Sequence, residues 1–235
     1  MRTRLLKEGA DELNFLDRLA RATSRRTFLQ WSGITIGVVA LGCSDDDNGP
    51  GPDGEGVDLG SGDTGILNYA YALEQLEAAF YTAVVATPYA GITADETTML
   101  TDIRNHEIIH RDFLAAALGA AAIPALEVTF TTVNLNVRDE VLGAARTFED
   151  LGVSAYNGAG QLLTTPANLV NAGRIVSVEA RHAAAIRDLL VANSFAASDV
   201  VDTDGLDVVR TPTEVLTLAD PFVVTTINAS GLPTA

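Results

Sequence analysis

The stretch Glu107-Ile108-Ile109-His110 recurs 72 residues later as Glu179-Ala180-Arg181-His182. Each copy follows a lone glutamate, Glu74 in the first half and Glu149 in the second, and these two lie 75 residues apart. A carboxylate and an imidazole three residues apart project from one face of an α-helix. The repeat therefore predicts two long helical hairpins, each carrying one set of metal ligands.

Together the two hairpins predict a site for two metal ions inside a bundle of four helices. Two helices would supply a lone Glu and the other two a Glu-x-x-His pair, as in carboxylate-bridged di-iron and di-manganese bundles. The predicted metal ligands are Glu74, Glu107, His110, Glu149, Glu179 and His182. Over residues 64–193 the sequence resembles the ferritin-like superfamily, which implies an all-α four-helix bundle with a long crossover between helices 2 and 3.

Charge balance is a separate reason to expect metal at these positions. Four carboxylates facing one another in an apolar bundle are costly unless they are compensated, and two divalent cations would neutralise them. Two of the three histidines in the chain fall within the repeat. Oxygen and nitrogen ligands accept both iron and manganese, so we expect two Fe or Mn ions, with zinc able to occupy the site after purification.

Three more side chains are placed near the predicted site by their spacing. Glu77 follows Glu74 by one helical turn, and it is either an extra ligand or, as we prefer, a carboxylate at the rim of the site. Tyr81 and Tyr156 each follow their lone Glu by seven residues, or two turns. They are candidate hydrogen-bond donors to the ligands, with a catalytic role, although core packing alone would also explain them.

A competing motif overlaps the first half of the repeat. His106-Glu107-Ile108-Ile109-His110 also matches His-Glu-x-x-His, in which two histidines bind zinc and the glutamate is the general base of a metalloprotease. The second half carries Val178 where a matching histidine would stand. The duplicated pattern favours the dinuclear site, and the protease remains the second alternative.

The segments 148–156 and 178–183 are similar to an exported branch of ferritin-like proteins that includes desiccation-related proteins. This resemblance implies a fold and a metal site more directly than a reaction. One function class is a redox enzyme that reacts with oxygen or peroxide, as a ferroxidase, a peroxide-removing enzyme or an oxidase of a small substrate. The other is a non-catalytic, metal-binding envelope protein in stress or desiccation protection.

The N-terminus predicts export. Residues 24–29, with the pair Arg25 and Arg26, resemble the twin-arginine consensus, and an apolar stretch over residues 31–41 is too short for a membrane span. Cys43, the only cysteine, ends a sequence that resembles a lipobox. We therefore expect a signal peptide over residues 1–42 and a lipid on Cys43. The protein would then be a membrane-anchored lipoprotein in the periplasm or at the cell surface.

The composition of the chain indicates the remaining domain boundaries and limits the kinds of binding partner. Residues 43–63 are rich in Asp, Gly and Pro, which predicts a flexible linker, and residues 194–235 are expected to form an extension that packs on the bundle. The formal net charge of −16 excludes ordinary nucleic-acid binding. We expect oxygen, peroxide or metal ions as small-molecule partners, and a homodimer is compatible with a helical bundle.

Caps and breakers predict where the helices begin and end. We expect helices over residues 64–86, 94–119 and 166–193, and a third long helix that begins near Val137 and continues past Tyr156. The connection over residues 120–137 is too long for a hairpin turn, and one short helix is expected to begin at Thr211. Gly158 and Gly160 are predicted stop signals. Gly152 and Gly173 lie inside predicted helices, which indicates close helix packing at both positions.

Overall fold

Four long helices make up most of residues 56–234, the part of the chain that the computed structural model describes. The predicted signal peptide, the arginine pair, Cys43 and the predicted linker up to residue 55 lie outside these described residues. The elements, in chain order, are β1 (Val57–Asp58), α1 (Gly62–Ala86), α2 (Ala94–Leu118), α3 (Arg138–Gly160), α4 (Pro166–Leu190), α5 (Pro212–Ala219) and β2 (Ile227–Asn228).

The long helices form two hairpins. Helix α1 packs mainly on α2 and α3 mainly on α4, and each pair is joined by a short loop. After α2, a single 3₁₀ turn at Gly119–Ala121 leads into the long connection that reaches α3. The predicted all-α bundle with a crossover between its second and third helices is confirmed. None of the helices in the described part of the chain is both long and apolar enough to cross a membrane.

Two buried polar residues of α1 hold the crossover against the bundle. The Asn68 side chain donates to the carbonyl oxygen of Ala121 at 2.9 Å and accepts from the backbone N–H of Ile123 at 3.0 Å. Two turns further along α1, the side-chain oxygen of Gln75 accepts a hydrogen bond from the N–H of Leu126 at 2.8 Å. The crossover therefore follows α1 because its own backbone groups find their partners there.

Aromatic rings tie the crossover and the C-terminal segment to the bundle. Phe80 of α1 meets Phe148 of α3 edge to face with ring centroids 4.9 Å apart, and Phe130 of the crossover lies 5.4 Å from Phe80. Phe222, which follows α5, packs on Phe148 at 4.7 Å. Such contacts add to the burial of apolar surface, so residues after α4 contribute to the same core.

Side-chain caps explain where several helices begin. Thr93 and Glu96 form the predicted capping box of α2. Helix α4 lacks a cap from its own N-cap residue, and the Asp63 carboxylate of α1 instead accepts from the N–H groups of Thr164 and Thr165 at 2.8 and 3.0 Å. These hydrogen bonds outweigh the effect of burial and hold the pKa of Asp63 well below its usual value. Asp63 therefore joins the start of α1 to the loop that leads from α3 into α4.

Some expectations from the sequence are wrong in detail. Residues 57–58, predicted as linker, pair in parallel with residues 227–228 of the C-terminal extension, and Leu59 is fully buried. Helix α4 ends at Leu190 rather than near Asn193, whose φ of 68° is left-handed. Nothing lies within 4 Å of a Cβ built on Gly173, so close packing does not explain that glycine.

Candidate metal centre

The bundle brings all six predicted ligands together in its interior. The α1 and α3 helices each present their lone Glu, and α2 and α4 each present a Glu and a His one turn apart. All six are buried: Glu74, Glu107, Glu149 and Glu179 are 0% exposed, His182 5% and His110 9%. This density of buried carboxylates is unusual for a protein core and needs compensation.

These side chains form two overlapping groups of four, within each of which one potential donor atom per residue lies within 4.8 Å of the others. Glu107 and Glu179 belong to both groups. One group is completed by Glu74 and His110, and the other by Glu149 and His182. Each group thus offers three carboxylates and one imidazole, and two of the carboxylates are common to both groups.

Each imidazole contacts the shared glutamate of the opposite hairpin most closely. His110 Nδ1 lies 2.8 Å from Glu179 Oε1 and 3.4 Å from Glu107 Oε2. His182 Nδ1 lies 2.8 Å from Glu107 Oε1 and 3.5 Å from Glu149 Oε2. Both rings therefore direct Nδ1 into the centre, and the hairpins interlock through their ligands.

Unpaired atoms show that the cluster fits a metal. Eight buried side-chain atoms of the six residues have no hydrogen-bond partner within the described part of the chain, including both Nδ1 atoms and all four oxygens of Glu107 and Glu179. The short His–Glu contacts lack hydrogen-bond geometry. Buried polar atoms are nearly always satisfied, and carboxylate oxygens with imidazole nitrogens are ligands that iron, manganese and zinc accept. The cluster is therefore compatible with a metal-binding site.

Burial and proximity shift the protonation of these groups strongly. Burial raises the pKa of Glu74 and of Glu149 to about 7, and it raises the pKa of Glu179 well above its usual value. Burial also opposes ionisation of Glu107, but its contacts with both histidines outweigh this and lower its pKa to about 2. Without a cation, the cluster would therefore have to retain protons.

Each of the two tyrosines forms a hydrogen bond with a glutamate of the other hairpin. Tyr81 of α1 donates its hydroxyl hydrogen bond to Oε1 of Glu149 at 2.5 Å, and Tyr156 of α3 donates to Oε1 of Glu74 at 2.6 Å. Burial, followed by the nearby carboxylates, raises the pKa of both phenols well above 10. Both hydroxyls therefore remain protonated, and each donates a hydrogen bond to a carboxylate of the cluster.

A family comparison agrees with this geometry. The family model described as a ferritin-like domain matches residues 62–192, which include all four long helices and all six clustered ligands. The chain belongs to the ferritin-like family. No curated protein matches the chain.

Glu77 lies within the ferritin-like domain beside the cluster rather than at its rim. Its side chain is buried, with 3% exposure, so our preference for a rim carboxylate is wrong. It belongs to neither group of four. Burial and then the charges of Glu179 and Glu107 raise the pKa of Glu77 well above its usual value. The centre therefore has a fifth carboxylate next to it.

His106 has a role that the sequence did not reveal. Its Nδ1 lies 2.9 Å from Nε2 of His182, and the two rings are stacked with their planes 5° apart. It belongs to neither ligand group, so it is not placed as a zinc ligand beside His110. The histidine that gave rise to the protease alternative instead supports His182, a contact between helices that only the tertiary structure could reveal.

Proposed function

We propose that this ferritin-like protein binds two divalent metal ions, iron or manganese, and carries out redox chemistry with oxygen or peroxide. One observation carries the proposal: two buried groups of carboxylate and imidazole donors share Glu107 and Glu179, and eight side-chain atoms of the six residues have no hydrogen-bond partner among the described residues. A bound pair of such ions would supply electrons to oxygen or peroxide. The protein itself would supply ligands, protons and a dry environment.

In this proposal the chain's residues have distinct tasks. Glu107 and Glu179, which belong to both groups, would hold both ions, while His110 and His182 would each bind one ion through Nδ1. Tyr81 and Tyr156 hold the lone glutamates in place and keep a proton close to the centre. Ferroxidase activity, peroxide removal and oxidation of a small substrate are the candidate outcomes.

We also propose that the domain belongs to the exported branch and works at a membrane surface. The support is in the sequence: the twin-arginine pattern at residues 24–29 and the lipobox-like sequence that ends at Cys43. A Cys43→Ser variant should lose lipid labelling, whereas Arg25→Lys with Arg26→Lys should block export. Labelling that survives in Cys43→Ser would contradict the anchor.

The test of function begins with the metal content of residues 44–235, purified without added metal. We expect about two iron or manganese ions per chain, lost in Glu107→Ala and in His182→Ala but kept in a control, Glu127→Ala, at an exposed position. Metal-dependent consumption of oxygen or peroxide would then establish the redox role. Stable metal without turnover would favour the envelope protein, and a single zinc that survives His182→Ala would favour the protease.

A further inference from the structure

The two halves of the repeat differ at one buried position next to the metal centre. The 75-residue offset that relates Glu74 to Glu149 also relates Tyr81 to Tyr156, and it relates Glu77 to Gly152. The first hairpin thus has a carboxylate where the second has no side chain. Because the surrounding ligands are duplicated, this difference is a departure from the symmetry of the site.

Glu77 and Gly152 are matched in space as well as in sequence. A Cβ built on Gly152 would lie 3.0 Å from Oε1 of Glu77 and 3.5 Å from Oε2 of Glu179. A side chain at position 152 would therefore press on the Glu77 carboxylate and reach the bridging glutamate. The space beside the centre is available to Glu77 because residue 152 is glycine.

The Glu77 carboxylate has no evident structural partner. It is 97% buried, and no hydrogen bond in the described part of the chain engages its side-chain oxygens. The charged groups that raise its pKa most are themselves carboxylates, those of Glu179, Glu107, Glu149 and Glu74. The charged form of a carboxylate in such a place is unfavourable unless a cation compensates it, and without a cation the group must retain a proton.

We propose that Glu77 is a seventh donor to the metal centre, reaching it through the space that Gly152 leaves open. The inference rests on the proposed dinuclear site. Five carboxylates carry one negative charge more than two divalent ions can neutralise, so Glu77 favours a metal pair of higher charge. It also makes the two metal positions inequivalent, because only one of the two hairpins supplies the additional oxygen ligands.

The test is a titration of the metal-free full chain with Mn²⁺, in which free Mn²⁺ is followed by electron paramagnetic resonance. The wild type should bind two ions. Glu77→Gln should bind one of the two at least about 10-fold more weakly. Gly152→Ala should weaken the same step by a smaller factor, because the new methyl group displaces the carboxylate. Gly143→Ala, in the same helix but with nothing within 4 Å of the added Cβ, is the matched control and should leave both steps unchanged.

An exchange of the two residues provides the sharper comparison. Glu77→Gly should weaken the same Mn²⁺-binding step as Glu77→Gln. Adding Gly152→Glu to Glu77→Gly should restore the affinity of that step, because the carboxylate then reaches the same centre from the other hairpin. Thermal unfolding of the metal-free variants separates ligation from folding. Glu77→Gln should unfold at the wild-type temperature or higher, since the amide keeps the size of the side chain and carries no charge among the neighbouring carboxylates.

Three results would count against the proposal in different ways. Identical Mn²⁺ isotherms for wild type and Glu77→Gln would overturn the role of Glu77 and leave the dinuclear site intact. A lower unfolding temperature for metal-free Glu77→Gln would overturn it by assigning Glu77 to the fold. Failure of the wild type to bind Mn²⁺ or Fe²⁺ at all would overturn the proposed function itself.

Discussion

At the scale of single residues, each lone glutamate has one oxygen on a tyrosine and the other in the interior of the cluster. Oε1 of Glu74 accepts the hydrogen bond of Tyr156, while its Oε2 is unpaired and lies 3.5 Å from His110 Nδ1. Glu149 is arranged in the same way, with Oε1 on Tyr81 and Oε2 unpaired. Each tyrosine therefore fixes the carboxylate so that the other oxygen points into the centre.

We expect Tyr81→Phe and Tyr156→Phe to destabilise the protein to a similar extent. Each change leaves a buried carboxylate oxygen without its donor, which costs about 1–3 kcal/mol. Chemical denaturation of the metal-loaded protein measures this loss. Tyr71→Phe, also on α1 but with no hydrogen bond recorded for its hydroxyl in the described residues, is the control and should be close to neutral. If both site variants were as stable as the wild type, the two tyrosines would contribute only by packing in the core.

His106 should affect metal affinity without binding metal itself. If His182 binds through Nδ1, its Nε2–H donates to Nδ1 of His106, which fixes the tautomer and the ring orientation. His106→Ala should therefore weaken Mn²⁺ binding by about 10-fold. Ile109→Ala, at a position of α2 that is 61% exposed, is the control. Equal affinities for His106→Ala and wild type would show that the contact is not needed.

At the scale of the helices, glycines mark the places where another segment approaches closely. A Cβ on Gly158 would lie only 1.7 Å from the carbonyl oxygen of Arg210, whose own N–H donates to the carbonyl of Ser154 at 3.1 Å. The segment before α5 thus lies directly on α3. The glycine serves this contact, whereas its sequence context had predicted a helix stop.

The pair Gly158→Ala and Gly173→Ala should change stability in opposite directions. In a helix interior, replacing Gly with Ala gains about 0.5–1 kcal/mol, which should appear in full at Gly173, where nothing lies within 4 Å. At Gly158 the new methyl group meets backbone, and the strain should cost about 1–3 kcal/mol or more. Urea denaturation of both variants compares them. A higher free energy of unfolding for Gly158→Ala would mean that the segment at Arg210 can move away from α3 without cost.

The sequence predicted those features that depend on residues close together along the chain. Helical spacing placed Glu107 and His110 on one face, and the capping box at Thr93 and the proline at the start of α4 located helix starts. Contacts between distant segments could not be predicted in this way. The pairing of residues 57–58 with 227–228 and the contact between His106 and His182 depend on tertiary packing, for which a single sequence holds no periodic signal.

At the scale of the whole molecule, the candidate metal centre brings buried carboxylates together inside an acidic protein. Four fully buried carboxylates, with Glu77 beside them, lie in a chain whose formal net charge is −16. Folding without metal must therefore either retain protons at the centre or keep like charges close together. Metal binding would replace those protons, which would link stability, pH and metal content.

This linkage predicts that pH acts in opposite directions on the metal-free and metal-loaded protein. In the metal-free fold, burial raises the pKa of Glu74 and Glu149 to about 7, and contacts with Glu107 and Glu149 overcome the effect of burial to raise the pKa of His182 to about 10. A group whose pKa is raised by folding contributes stability that is lost as pH rises towards the folded value. The pKa of Glu107 is shifted in the opposite direction, to about 2, so its effect on stability is lost only in acid.

Calorimetry at fixed ionic strength should therefore show that the metal-free protein unfolds at a lower temperature at pH 9 than at pH 5. The metal-loaded protein should show the reverse, because protons compete with metal for Glu74, Glu149 and His182 below neutral pH. A variant with both Glu74→Gln and Glu149→Gln should flatten the metal-free profile, since two of the groups responsible are gone. A metal-free profile that rises with pH, or one that the double variant leaves unchanged, would place the source of the pH dependence on the acidic surface rather than at the centre.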